Sequence, residues 1–490
     1  MLFNSALYGA FLLGALAVFW LLHAQRVARG LFLVVASYGF YFYGTWDAAT
    51  QEEVPFGALG WSVLCLGIIF VGSTLDYWIG RALGRTEDPR LRRALLLVSV
   101  VYYLGVLAIF KYFNFAADTF ASLLSALGVS SAAAHAAHLN LVLPFGISFF
   151  TFETMSYTID VYRRELEPAR RYLDYLLFVA FFPHLVAGPI VRPKQMLPQL
   201  AATPVADPDL QARGLWLIAT GLGKKIIIGD TLSVNLVNRA FGNPERFSSV
   251  ELAVAVYAYA IQIYCDFSGY TDVAIGSALL FGYQLPPNFN APYIAKNLQE
   301  FWHRWHISLS TWLRDYLYVP LGGSRKGALR TYVNLMITML LGGLWHGASW
   351  NFVIWGALHG AGLAGTRMWQ RARPSPDDGA LTRAVTTFLT FQFVCFAWVF
   401  FRAPTFGHAT LLLGRIARAT GGVANVSPRV ALVLALGFVL HGVPNDWVDR
   451  VRERFVRTPA LGQGVVLALV AYALHLAAGA KAEPFVYGQF

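Results

Sequence analysis

Apolar residues run for about twenty positions at a time along most of this chain before a charged or turn-rich break, the length a helix needs to cross the hydrocarbon core of a bilayer. Placing a helix in each run predicts about eleven to thirteen membrane segments, some of them short. The pattern is that of an all-α polytopic integral membrane protein. It reads as one membrane-embedded domain over residues 1–490, with N-terminal spans in 1–172, a core in 173–370, and C-terminal spans and a tail in 371–490. No internal repeat is visible, which counts against a transporter built from inverted repeats.

In the middle of the chain the apolar runs are interrupted by Pro183, Gly188 and Pro189, by Pro286 and Pro287, by Gly322 and Gly323, and by Gly342 and Gly343. Broken backbone at membrane depth is tolerated only where protein or a water-filled cavity surrounds it. A site is therefore expected between about residues 180 and 365, with re-entrant or broken helices around a central funnel or tunnel. Arg371 to Asp378, with Pro374 and Pro376, reads as an exposed linker.

Composition sharpens the picture. The chain is 57% hydrophobic and 13% charged, against roughly 25% charged in a soluble domain, so the bilayer is the solvent for most of it. Its net charge of +11 sits in short basic clusters between apolar runs, which favours cytosol-facing loops and makes a nucleic-acid surface a poor reading. The loop with Arg26 and Arg29 is basic, the one with Asp47, Glu52 and Glu53 acidic, and the one with Arg81, Arg85, Arg90, Arg92 and Arg93 basic. Ser130 to Asn140 holds no Lys or Arg, and Arg163, Arg164, Arg170 and Arg171 follow. This alternation puts the N-terminus outside and the basic loops in the cytosol. The first segment, Ser5 to Leu22, has its basic residues after it, the reverse of a cleavable signal, and reads as the first span. Cys65, Cys265 and Cys395 lie in apolar runs without CxxC spacing and imply neither disulfide nor zinc.

Candidate chemistry begins with His346. From Thr331 to Thr366 there is no Asp, Glu, Lys or Arg, a stretch of about 54 Å as one helix, yet Arg330 and Arg367 bound it on both sides. Both ends are then cytosolic, which calls for two crossings or a re-entrant hairpin turning around Gly342 to Gly347. His346 falls near that inner turn, where an imidazole is either a satisfied packing residue or a functional one. Kept neutral in an apolar pocket, it is suited to take a proton from a hydroxyl.

A second constellation is Phe301-Trp-His-Arg-Trp-His-Ile-Ser-Leu-Ser310 followed by Thr311-Trp-Leu-Arg-Asp-Tyr-Leu-Tyr318. The spacing of His303 and His306 predicts one shared helix face; without a third ligand it is a weak metal pair, and no metal site is expected. Its plainer reading is an aromatic and basic belt at headgroup level. Arg304, Arg314, Arg325, Lys326 and Arg330 form a cationic floor suited to an anionic, phosphate-bearing donor from the cytosol. Asp266 and Asp272 are the only acids between Glu251 and Glu300 and are expected to pair with basic side chains, with a proton relay as the alternative. His184 and His359 read as packing or lining residues. No phosphate loop, Gly-x-Ser-x-Gly elbow or His-Glu-x-x-His motif occurs.

Several blocks in order resemble the membrane-bound O-acyltransferase family, in its bacterial branch that includes the alginate O-acetyltransferase membrane subunit: Phe182-Pro-His-Leu-Val-Ala-Gly-Pro-Ile190, Asp266-Phe-Ser-Gly-Tyr-Thr-Asp272, Asn288-Phe-Asn-Ala-Pro-Tyr293, Phe301 to Gly323, and Leu344-Trp-His-Gly347. A fainter likeness extends to Glu483-Pro-Phe-Val-Tyr-Gly-Gln-Phe490, where Gly488 departs from the aromatic pattern. The resemblance implies His346 as general base and His306 as the second essential histidine, with His303 left without a role. Arg304, Trp305, Arg314, Asp315, Asp266 and Trp345 are candidate substrate contacts. It also implies acetyl-CoA as a donor substrate with no bound cofactor, a bacterial inner-membrane location among lipid, and a periplasmic SGNH-type, serine-dependent partner that completes transfer to a polysaccharide alongside its biosynthesis proteins. Alginate-like exopolysaccharide, cellulose and peptidoglycan fit as acceptors, with D-alanyl transfer to teichoic acid more distant. A non-catalytic acyl-group transporter and a scaffold remain as other classes.

Overall fold

A computed structural model describes residues 3–51, 54–128, 138–139, 141–144, 146–186, 188–373 and 379–478. Glu52 and Glu53, most of the Ser130 to Asn140 loop, Pro374 to Asp378 of the expected linker, and the closing segment Glu483 to Phe490 lie outside the described residues. All regular structure among the described residues is helical, with no strand.

Among the described residues, six helices are long and apolar enough to cross a membrane: Arg26–Ala49, Gly57–Leu83, Pro89–Ala126, Ser249–Leu280, Ala380–Arg402 and Ala460–Ala477. A seventh span arises if Pro428–His441 and Asn445–Arg457, bent by 92° at their junction, count as one. Length and apolarity alone thus fall short of eleven to thirteen. The difference lies in helices too short or too polar to qualify singly, such as Ala6–Leu21, Ile147–Tyr162 and the pair Ala328–His346 and Trp350–Ala372. Outward-facing Leu64, Phe70, Val71, Leu97 and Val101 are exposed, as a hydrocarbon solvent requires.

The chain forms two compact units, Met1–Asp207 with Ser277–Leu285, and Pro208–Gly276 with Pro286–Phe490. In the first, the helix Ile147–Tyr162 is buried along nearly its whole length among Gly57–Leu83, Pro89–Leu107 and Tyr172–Ala180. Part of the polar surface in and around it is matched internally. Arg92 donates to the carbonyls of Leu83, Thr86, Val161 and Tyr162, so one guanidinium caps the ends of two helices. His184 Nδ1 stands 3.1 Å from Glu153 Oε1, which also accepts the Val191 N–H at 2.9 Å.

In the second unit the helix Pro208–Leu222 crosses Ser249–Leu280 at two glycine pairs. A Cβ on Gly221 would lie 2.6 Å from the Gly269 carbonyl oxygen, and one on Gly276 would lie 2.5 Å from that of Gly214. This backbone approach carries the wide turns that follow, Gly223–Asp230, onto the acids of the long helix. Lys224 Nζ is 2.5 Å from Asp272 Oδ2, and Lys225 Nζ is 2.5 Å from Asp266 Oδ1 and 2.8 Å from Asp230 Oδ1. Both acids therefore have the basic partners expected of carboxylates at membrane depth.

The uncharged stretch folds as an antiparallel helical pair, Ala328–His346 and Trp350–Ala372. The chain turns at Gly347 to Ser349, one residue beyond His346, while Gly342 and Gly343 stay helical. Gly343 presses on the Phe352 carbonyl and Gly356 on that of Met339, contacts that leave no room for a side chain. Gly343→Val is expected to destabilise the pair by about 1–3 kcal/mol or more. Gly365→Ala, where a methyl meets nothing within 4 Å, is expected to be neutral or stabilising by up to about 1 kcal/mol. Melting temperatures of the detergent-purified variants check both.

Candidate active site

The helix Leu298–Arg304 begins at Asn297, whose side chain accepts the Glu300 N–H at 2.9 Å, and stops at Trp305, which is extended. His306 follows in the left-handed region, φ 41° and ψ 57°, and starts a new helix, Ile307–Leu313. Such a conformation costs a non-glycine residue about 1–3 kcal/mol and persists only where surroundings impose it. Here the loop before it does so: Asn290 N–H donates to the Arg304 carbonyl and Ile307 N–H to the Asn288 carbonyl, both at 2.9 Å. The backbone groups freed by the break are thus satisfied inside the protein.

This break corrects the expectation that His303 and His306 share a helix face. His303 ends one helix and lines a cavity, whereas His306 begins the next and is fully buried. The His306 ring meets Phe267 edge-on at 4.7 Å between centroids. Asn288 Oδ1 accepts the Ser308 N–H at 3.2 Å and the Ser308 hydroxyl at 2.8 Å, and lies 3.1 Å from His306 Nδ1. A backbone N–H can only donate, so Oδ1 is fixed as the acceptor and His306 Nδ1 carries the proton. The lone pair of the neutral ring is then on Nε2, which has no protein partner.

His346 closes the helix Ala328–His346 and is 3% exposed. Its ring is surrounded edge-to-face by Trp345, Trp355 and Phe401 at 4.9, 5.0 and 5.2 Å. Trp345 also lies 6.1 Å from the His306 ring, so one indole rests against both imidazoles. His359 is deeper in the same aromatic mass and accepts the Trp302 indole N–H at 3.3 Å.

On the side bounded by basic loops is a cavity of about 540 Å³, whose lining includes Trp302, His303, Ile307, Arg314, Thr338 and Arg367. Arg314 is half exposed and donates to Asp315 at 2.7 Å, a hydrogen bond that raises the guanidinium above its ordinary value. Arg304 does not line this cavity. It pairs with Glu300 at 2.8 Å and donates to the Asn290 carbonyl at 3.1 Å, which holds the loop against the break. Trp305 is built into the core, stacked on Phe301 and packed on Trp398. A second cavity of about 680 Å³, lined in part by Lys224, Tyr264, Asp272, His441 and Arg452, also reaches Ile307. No group of three or more His, Cys, Asp or Glu side chains able to hold a metal occurs among the described residues.

Neither His306 nor His346 lines the first cavity, but Ile307, next to His306, does, and the arginines of that cavity suit an anionic donor. A family model, described as membrane-bound O-acyltransferase, matches residues 163–404. The chain is 38% identical to the probable alginate O-acetylase AlgI of Pseudomonas aeruginosa, over 89% of this chain and 81% of that protein. The chain belongs to the membrane-bound O-acyltransferase family. This O-acyltransferase is also 40% identical to the Pseudomonas putida protein of the same name, over 84% of this chain and 80% of that one. To the peptidoglycan O-acetyltransferase of Helicobacter pylori it is 35% identical, over 72% and 70%. The O-acyltransferase is a multi-pass membrane enzyme, as its apolar helices require.

Two site residues escaped the sequence reading. Asn288 stood in a quoted block without a role, and its pairing with His306 depends on a loop turning back on the helix break. Arg367 served only as the far boundary of the uncharged stretch; the helical pair returns it to the cavity that Arg314 lines. Asn288→Leu in this O-acyltransferase is expected to free the His306 ring and lower kcat roughly tenfold or more, the scale of one lost hydrogen bond. Asn288→Asp, which keeps the acceptor, is expected to retain more activity; steady-state kinetics on membranes normalised for protein content separates the two.

Proposed function

We propose that this enzyme transfers acetyl from cytosolic acetyl-CoA, across the bacterial inner membrane, for O-acetylation of an extracytoplasmic polysaccharide. An alginate-like exopolysaccharide is the favoured acceptor, and a periplasmic SGNH-type protein is the intermediate carrier. The observation that carries this reading is the pair of buried histidines that share Trp345, with Ile307, next to His306, lining a cavity edged by Arg314 and Arg367. The similarity to alginate O-acetylases supports the acceptor class, and the Helicobacter relative supports peptidoglycan as a second reading.

In the proposed reaction His346 takes the proton of the acceptor hydroxyl as that oxygen attacks the thioester carbonyl. The carbon–sulfur bond then breaks, the acetyl ester forms, and the proton returns to the sulfur to give free CoA. With Nδ1 engaged by Asn288, neutral His306 presents an acceptor at Nε2. This favours orienting the acceptor hydroxyl over polarising the carbonyl, which needs a donor. Asp266 acts through its ion pair with Lys225 in this reading, holding helices and touching no substrate.

His346→Ala is expected to insert and fold but to lose about 10²- to 10⁴-fold in rate, the worth of positioned proton transfer. Release of CoA thiol from labelled acetyl-CoA by purified enzyme with its periplasmic partner reads this directly. Unchanged O-acetyl content in cells carrying the variant would sink the assignment, and substrate movement without thiol release would make the protein a transporter. Analysis of exopolysaccharide and peptidoglycan from a deletion strain distinguishes the acceptors. Arg314→Ala and Arg367→Ala are expected to raise KM for acetyl-CoA several-fold, on the order of 1 kcal/mol per contact, with kcat little changed. The effect should shrink as salt rises.

A further inference from the structure

The transfer reaction gives no role to the second cavity, whose volume of about 680 Å³ is that of a small-molecule site. It lies wholly within the second unit. Much of its lining is apolar: Trp216 and Leu217 come from the helix Pro208–Leu222, Ile228 from the wide turns after it, and Leu436 and Leu440 from Pro428–His441. The charged lining cancels in pairs. Lys224 Nζ is 2.5 Å from Asp272 Oδ2, and Arg452 Nη2 is 3.0 Å from Asp449 Oδ1. Two cations against two acids offer no net charge to the phosphates of acetyl-CoA, whereas the first cavity presents Arg314 and Arg367.

One wall residue holds a donor that the protein does not use. His441 lines the cavity and is 7% exposed. Its Nε2 lies 3.0 Å from the Tyr293 backbone nitrogen. That N–H can only donate, so Nε2 is the acceptor and the neutral ring keeps its proton on Nδ1. Nδ1 has no protein partner, and a buried donor left in that condition is costly until an oxygen meets it. The rings of Tyr264 and Tyr293, at 4.5 and 5.0 Å, fix the imidazole in place.

The same wall has the character of a membrane surface. Pro428–His441 and Asn445–Arg457 meet at 92°, so where the apolar first helix crosses the bilayer the charged second one runs along its plane. Asn445, Val448, Asp449 and Arg452 of the second helix, spaced as one face, line the cavity. Trp447 and Val451 are exposed on the opposite face, with Arg450 over the Trp447 ring at 5.3 Å. An exposed indole beside a guanidinium is the chemistry of headgroup level.

We propose that this cavity binds the headgroup and glycerol region of one zwitterionic membrane phospholipid. An ester carbonyl accepts from His441 Nδ1, the phosphate meets Arg452, the cationic headgroup meets Asp449, and the acyl chains start along Leu217, Leu436 and Leu440. Balanced charges and a neutral donor above an apolar lining match such a lipid and not an anionic nucleotide. Bound there, the lipid fastens the bent helix pair to Pro208–Leu222.

The test is thermal unfolding of the delipidated, detergent-purified full chain titrated with phosphatidylethanolamine, phosphatidylglycerol or acetyl-CoA, with native mass spectrometry of the lipid retained. Phosphatidylethanolamine is expected to raise the melting temperature saturably, with close to one lipid held per chain, and at a lower concentration than phosphatidylglycerol. His441→Phe, which keeps a ring and removes the donor, should raise the half-saturating concentration roughly tenfold, the scale of one lost hydrogen bond. Leu217→Trp and Leu440→Trp, which fill the cavity, should abolish the lipid response and leave that to acetyl-CoA. Should His441→Phe fail to fold, those two variants carry the test. Melting indifferent to phosphatidylethanolamine, a preference for phosphatidylglycerol, or an unaltered lipid response in the variants overturns the proposal. Loss of the acetyl-CoA response in the filled variants also overturns it, by giving the cavity to the acyl donor.

Discussion

One carboxamide oxygen holds the candidate site in its form. Asn288 Oδ1 collects a backbone N–H, a hydroxyl and an imidazole N–H, and all three donors belong to the two residues at or just after the helix break. Without it, the left-handed conformation of His306 keeps only the backbone hydrogen bonds from Asn288 and Asn290, and the ring has no fixed tautomer. In water such a loop would exchange its hydrogen bonds with solvent. At membrane depth that exchange is closed, so a single well-placed acceptor controls both backbone and side-chain chemistry.

Around this point the architecture depends on how closely backbones approach. Glycine pairs at Gly221 and Gly269, and at Gly343 and Gly356, bring helices together without intervening side chains. That closeness puts Lys224 and Lys225 against their acids and sets His346 among aromatic rings. Removing two charges from water costs as much as their attraction returns, so the buried pairs fix helix register more than they add stability. Register is what the site needs, because the two imidazoles come from separate segments and both pack on Trp345.

Much of this was legible in the chain. The absence of charge between Arg330 and Arg367 called for a turn near His346, and the structure places the turn directly after it. The ion pairing of Asp266 and Asp272 followed from the cost of acids in an apolar run. The divergence of His303 and His306 was not legible, because Trp305 is neither Gly nor Pro and nothing local announces a break there. The left-handed residue is imposed from Asn288 and Asn290, whose partners are set by tertiary structure. Length and apolarity alone undercount the segments for a related reason: helices shielded by other protein can be short, polar or bent, as Pro428–His441 and Asn445–Arg457 are.

Ile307 lines both cavities of the second unit. It directly follows His306, so a residue that touches both chambers is coupled through one peptide bond to the strained backbone of the site. A change in the volume of that one aliphatic side chain is felt in both chambers and at the helix break together.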